Sequence, residues 1–344
     1  MSDEQLKLMT RDQVLAVLAP NEKLTHVDVT LGKDKDIFFK TADQDGAPVV
    51  TLPDGEHPMT SGGLYEAARS VGIPETYSRK CPFDLLYQNL DHWYRGGNAT
   101  GKLRFLLHEG TVVGVNPNHP QYYNTSELLG AAEEVIGAEH ILGYHQVSSN
   151  LEFARVCVVT DHVFEAVSGD ALHGGLDIQN SIIGQYKIEI TPYIFRQWCS
   201  NGAITSENIS QWSHRNDGDT PIGPWVRNAT SSAFSGLNAE FQRIHHLTEV
   251  GVEGHVPDTL ASIFRRFNIP VRIQKEIVGE AAAQNNGAGP QTMYDLWNCL
   301  TRVGTYSSKL SRAGSRALQF VAGDVTKETS LCPSCHQLMH YKNA

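Results

Sequence analysis

Apolar positions along the chain follow two rhythms, one with hits three and four apart and one with hits two apart, and the two alternate in blocks. Leu6, Met9, Val14, Leu15 and Leu18 keep helical spacing over 4–19, and Thr10-Arg11-Asp12 offers a fresh helix start inside that stretch. Val27 and Val29, then Ile37 and Phe39, alternate with polar residues. The run 48–52 ends in Pro53-Asp54-Gly55, a turn signal. Residues 1–59 are therefore predicted to form a small strand-rich segment. From Thr60 the rhythm becomes helical: Leu64, Ala67, Ala68 and Val71 share a face, closed by Gly72 and then Pro74. A second helix is predicted over Phe83–Trp93, a hairpin over 102–115 around His108-Glu109-Gly110, and a helix capped by Thr125 or Ser126.

Residues 140–205 are the most strand-like block. Leu151–Thr160, Gly174–Ile178 and Gln185–Thr191 alternate or run apolar between turn signals, which predicts an antiparallel meander. A polar, Gly/Pro-bearing loop or lid is predicted over 206–232. Helices are predicted at 233–249, 257–267 and 291–322, with a flexible break at 284–290. The expected fold is α+β: an antiparallel sheet drawn from about 102 to 205, packed against helices, in a main domain spanning 60–325. A separate Cys-containing tail covers 326–344.

Composition narrows this picture without changing it. In 344 residues, 40% are hydrophobic and 19% charged, the balance of a chain that folds around a core. No apolar run reaches the roughly 18 residues a membrane-spanning helix needs. The first five residues, Met1-Ser2-Asp3-Glu4-Gln5, lack the basic-then-apolar order of an export signal, so a cytoplasmic protein with no membrane partner is expected. The formal net charge of −10 argues against indiscriminate polyanion binding. That average hides an asymmetry: residues 1–60 carry 6 Lys/Arg against 11 Asp/Glu, whereas 261–327 carry 9 against 4. Arg302, Lys309, Arg312 and Arg316 belong to the basic segment and are candidate phosphate contacts, although a solvated helix face explains them more simply.

Candidate chemistry is sparse. Trp212-Ser213-His214-Arg215-Asn216, with Trp225 and Arg227 nearby, mixes indoles and guanidiniums in one polar stretch. Single-strand nucleic-acid sites use that mixture, with ring faces for bases and Arg for phosphates, and an ordinary loop anchored by two tryptophans gives the same letters. Cys332-Pro333-Ser334-Cys335-His336 puts two thiols at the spacing of one tetrahedral Zn²⁺ site. His336 or His340 would be a third ligand and the body of the fold or another chain would supply the fourth. A redox dithiol in a loose tail is the other reading. Cys81, Cys157, Cys199 and Cys299 stand singly among apolar residues and read as free thiols. Asn180-Ser181 and 199–202 read as turns. His245-His246, adjacent on a helix, point about 100° apart and read as surface residues rather than as a metal grip. Phosphate-binding, dinucleotide-binding, zinc-protease and nucleophile-elbow signatures are all absent from the sequence.

Three segments together resemble the phage/plasmid-like protein family, a domain of unknown function. They are Ala67–Pro74 with Tyr77–Pro82 and Asn89–Trp93; Gly174–Gly184 running on through Ile188–Pro192 to Arg196–Gly202; and Tyr294–Thr301. The resemblance covers roughly 60–322 and implies a mobile-DNA setting without a reaction. With it, the expected function is nucleic-acid binding, single-stranded DNA first, in phage replication, recombination or transcription, by a protein that self-associates. A structural or host-factor-interacting protein is the alternative, and a hydrolase or nuclease with an unseen cleft is a third.

Overall fold

Thr10 opens the first helix: its hydroxyl accepts from the Gln13 N–H while the Gln13 side chain reaches back to the Thr10 N–H, a closed capping box. A computed structural model of the chain describes residues 8–34, 36–41, 47–96, 101–117, 122–196, 201–204, 210–212, 222–328, 331–332 and 334–338. The elements begin with α1 (Arg11–Leu18), β1 (Leu24–Leu31), β2 (Phe38–Thr41), β3 (Pro48–Leu52), β4 (Gly55–Pro58), α2 (Ser61–Ser70), α3 (Glu75–Ser78) and α4 (Phe83–Arg95). Next come β5 (Gly101–His108), β6 (Thr111–Pro117), α5 (Thr125–Ile136), β7 (Ile141–Ser149), β8 (Ala154–Val167), β9 (Asp170–Asn180) and β10 (Ile188–Arg196). The chain continues with β11 (Asn201–Ile204), β12 (Ser210–Trp212), α6 (Ile222–Glu249), α7 (Val256–Arg266), α8 (Val271–Ala283), α9 (Met293–Tyr306) and α10 (Arg312–Lys327). The fold is α+β, with three antiparallel sheets among the described residues.

Strands β1 to β3 share a core with α2, α4, β5 and β6, whereas α1 packs with the large sheet. β1 pairs residue for residue with β5, from Leu24 opposite His108 to Leu31 opposite Gly101, giving the sheet order β1-β5-β6. The small sheet β2-β3-β4 joins it through the Thr60 N–H, which donates to the Val112 carbonyl at 2.9 Å. Their common core holds Val29, Phe39, Val50, Leu64, Leu86, Leu90, Tyr94 and Phe105. The 102–115 hairpin thus belongs to β1 and not to the meander, because its inward residues face α2 and α4.

The large sheet runs β11-β10-β9-β8-β7, with β12 also on β10. Its two faces are covered differently. Ala154, Val156, Val158, Leu176, Ile178, Ile188 and Ile190 pack with α1, α5 and the start of α6. On the opposite face Cys157, Val159, Tyr193 and Phe195 meet Phe320 of α10. Coverage on both sides explains why residues 154–160 of β8 are all buried, while 161–167, beyond that cover, alternate. The C-terminal helices close a further core around Trp297, Leu300, Ile263, Ile277 and Leu247. Among the described residues no helix is long and apolar enough to cross a membrane.

His145 on β7 is a titrating group inside this framework. Its Nδ1 lies 2.8 Å from the Tyr193 hydroxyl. Burial, and then the nearby Arg155 charge, push its pKa down to about 4 from an ordinary 6.5. The folded protein therefore keeps this ring neutral while the unfolded chain protonates it below about pH 6.5. Stability should fall as pH drops from about 6.5 to 4. Thermal unfolding across that window should show a steeper loss for the parent than for His145→Gln, and equal slopes would remove the effect.

Candidate functional site

A buried polar chain runs across the α10 side of the sheet. Arg155 of β8 and Asp177 of β9 sit diagonally on that face, since Cys157 is opposite Asp177 and Arg155 opposite Gln179. The Arg155 Nε–H donates to Asp177 Oδ1 at 2.7 Å, and its Nη2 donates to Gln319 Oε1 of α10 at 3.0 Å. Gln179 Nε2 donates to the second Asp177 oxygen at 2.7 Å. Asp177 and Gln319 are fully buried. Burial acts to lower the Arg155 guanidinium, and the Asp177 carboxylate together with the neighbouring Cys157 and Tyr193 outweighs it, so the net direction is up. The Cys157 thiol, 3.5 Å from Asp177, is pushed well up by burial, the environment of an unreactive thiol.

This chain surfaces in a cleft of about 390 Å³ where the start of β8, the end of β9, the start of β10 and the first turns of α10 meet. Gln179 lines it together with Phe153, Tyr186, Lys187, Glu189 and Arg316. Arg316 arrives there because Ser311 caps α10, accepting from the Gly314 N–H, and because the helix buries Leu318, Gln319, Ala322 and Val325. The Arg316 guanidinium is ion-paired with Glu189 and lies 4.9 Å from the centre of the Phe320 ring, and its Nε has no hydrogen-bond partner. Gln211 of β12 also donates to Glu189, at 2.7 Å, and Lys187 donates to Gln211 at 3.0 Å. Tyr186 stands 58% exposed at the rim. The cleft thus combines aromatic surface with two cations and two carboxylates, of which Glu189 is paired with Arg316 and Glu152 lines the same cleft.

The residues singled out from sequence are divided by the fold. Arg316 lies in the cleft, and Trp212 ends β12 opposite Ile188, two residues from Ile190 on the same strand pair. The side chains of Trp212 and Arg312, and all of Arg215, lie outside the described residues. Trp225 and Arg227 are on α6 and not in a loop: Trp225 packs against the core, and exposed Arg227 pairs with Glu134 at 3.2 Å. Arg302 and Lys309 line a separate, shallower hollow, paired with Glu280 and Glu276. Two of the nine cations of 261–327 are thereby held by acids of the same segment. Tyr186, Lys187 and Phe153 escape a reading of the sequence because nothing local marks them; only the meeting of β8, β10 and α10 brings them to one place.

His245 and His246 are exposed on α6, in keeping with their adjacency. Ser181 serves a turn, accepting from the Gln185 N–H at 2.9 Å. Cys199 and His214 lie outside the described residues. In the tail, Cys332 and Cys335 are free thiols. A hydrogen bond from Cys335, then bonds from Ser334 and backbone N–H groups, draw the Cys332 thiol down to about 6. His336 stacks on His255, and His340 lies outside the described residues. Among the described residues no three His, Cys, Asp or Glu side chains already converge on a metal position.

Fold and site together define an α+β protein with an aromatic cleft, bearing both cations and carboxylates, between the strand ends of the large sheet and a helix. Compared with known proteins, the chain gives no significant match to a family model, a curated protein or a solved structure.

Proposed function

We propose that the protein binds single-stranded DNA through the cleft where the ends of β8, β9 and β10 meet α10. The observation that carries this reading is the exposed Tyr186 ring beside Phe153, with Lys187 and Arg316 in the same cleft. Unpaired bases offer flat faces that stack on such rings, and the adjacent cations suit the phosphates between them. A concave site of about 390 Å³ admits one or two nucleotide units and no duplex. Affinity then comes from stacking more than from charge, in keeping with a chain of net charge −10. The reading rests on the cleft and not on the resemblance to phage and plasmid proteins, which no family model supports.

Fluorescence anisotropy with a labelled oligothymidine tests it. Tyr186→Ala should weaken binding by about 5- to 150-fold, the equivalent of about 1–3 kcal/mol for one stacked base. Lys187→Ala with Arg316→Ala should weaken it further and flatten the salt dependence, each lost phosphate contact reducing the slope by about 0.7. Absence of binding by the parent at low salt, or parental affinity in the variants, overturns the proposal.

A further inference from the structure

Gln179 occupies the middle of a row across three strands, opposite Arg155 of β8 on one side and Glu189 of β10 on the other. Residues paired across antiparallel strands share a face. Arg155 reaches Gln319 and Glu189 pairs with Arg316, both on α10, so Gln179 faces α10 as well. It is 3% exposed and still lines the cleft, which makes it part of the floor.

The Gln179 amide has one permitted orientation. Its Nε2 donates to Asp177 Oδ2 at 2.7 Å, while Arg155 donates to Oδ1 of the same carboxylate. An ion-paired carboxylate only accepts, so the nitrogen end of the amide must face it and the oxygen end must face away. That oxygen, Oε1, has no hydrogen-bond partner among the described residues, and it is not sealed inside the protein as the Nε2 of Gln319 is. The floor therefore presents a fixed acceptor to whatever enters. Glu152 and Glu189 add carboxylate oxygens around it, those of Glu189 already receiving Arg316 and Gln211.

Bases differ in what they bring to such a floor. Adenine, cytosine and guanine carry an exocyclic amine, a donor that Oε1 can accept from. Thymine has carbonyl oxygens on both sides of its one ring N–H, and these set lone pairs against the acceptors of the floor. A buried acceptor covered by a ligand that cannot donate to it loses its water and gains nothing. We infer that Gln179 gives the cleft a preference for amine-bearing bases over thymine, with Asp177 as the positioning residue that holds the amide for this contact. The inference rests on the cleft binding single strands and adds which bases it favours.

Competition anisotropy with homo-oligonucleotides of one length tests it in two matched pairs. Oligodeoxycytidine against oligothymidine compares two pyrimidines, and oligodeoxyadenosine against the same strand built from unsubstituted purine removes the amine alone. The amine-bearing member of each pair should bind the full-length protein about 3- to 10-fold more tightly, the effect of one net hydrogen bond. Gln179→Leu should bring both pairs to equal affinity while keeping oligothymidine binding, whereas Glu152→Gln should keep the preference. Equal affinities within both pairs in the parent overturn the inference and leave the cleft reading standing; failure of every strand to bind removes the cleft reading itself. Loss of the preference in Glu152→Gln but not in Gln179→Leu would place the acceptor on Glu152 and overturn the assignment. The matched pairs in the parent decide the preference even where Gln179→Leu does not fold, and Gln179→Met, closer in length, then tests the residue.

Discussion

Asp177→Ala should destabilise the protein by about 3–5 kcal/mol, the range for removing one partner of a buried ion pair. The loss has a specific origin. Arg155 is 7% exposed, and without Asp177 it remains a buried guanidinium with only Gln319 beside it. Gln179, at the cleft floor, would lose its acceptor as well. Replacing the pair together, as Arg155→Met with Asp177→Leu, should recover most of the stability, because two apolar groups of similar volume leave no stranded charge. Urea unfolding of the two variants decides this: equal destabilisation of single and double variants would mean that packing, and not charge, is lost. The double variant should also lose the link through Gln319 to α10, so its oligonucleotide affinity should fall although its stability does not.

Gly175→Ala should be comparably damaging for a steric reason. A Cβ on Gly175 would come 1.9 Å from the Val158 carbonyl oxygen, a backbone atom of the neighbouring strand. Nothing there can rotate away, so β8 and β9 must separate where the central sheet is buried on both faces, at a cost of about 3 kcal/mol or more. Gly174 supplies the comparison within the same dipeptide. Its Cβ would meet Leu237 Cδ1 of α6 at 2.7 Å, the end of a flexible side chain that can shift. Gly174→Ala should therefore lower the thermal midpoint much less than Gly175→Ala. Similar shifts for the two would show that the ladder between β8 and β9 yields more easily than its burial suggests.

Elements with strong local signals are legible in the sequence. Thr10 with Gln13 marks α1, Gly72 and Pro74 close α2, and the runs Leu151–Thr160, Gly174–Ile178 and Gln185–Thr191 each fall on a strand of the central sheet but stop short of its observed end at Val167, Asn180 and Arg196. Two kinds of feature escape. Tertiary contacts override local polarity in α6, which begins at Ile222 within a stretch that reads as a loop. Its true signal is Ile222, Val226, Ala229, Ala233 and Leu237, an apolar stripe diluted by the Ser, Thr and Asn between them. The helical run 291–322 is two helices, since Ser311 caps a new one after Tyr306, and α8 over Val271–Ala283 is masked by its charged outer face. Strand partnership is the second gap. Nothing local says that β1 pairs with β5 across some 70 residues of sequence, or that the cations of 261–327 meet Glu276, Glu280 and Glu189. For the same reason Arg316 reads from sequence as a surface phosphate contact, while its neighbours in the cleft, Phe153 and Tyr186, are invisible there.

Photo-crosslinking locates the bound strand directly. An oligonucleotide carrying 5-iododeoxyuridine, irradiated with the full-length protein and analysed by peptide mass spectrometry, forms adducts chiefly with aromatic side chains in contact with the base. Adducts on Tyr186 and Phe153, suppressed by unlabelled single strand and not by duplex, are the expected result. Adducts concentrated on the exposed aromatic residues of α4, Phe83 and Trp93, or no adduct at concentrations that saturate binding, would contradict a binding site where β8, β9 and β10 meet α10.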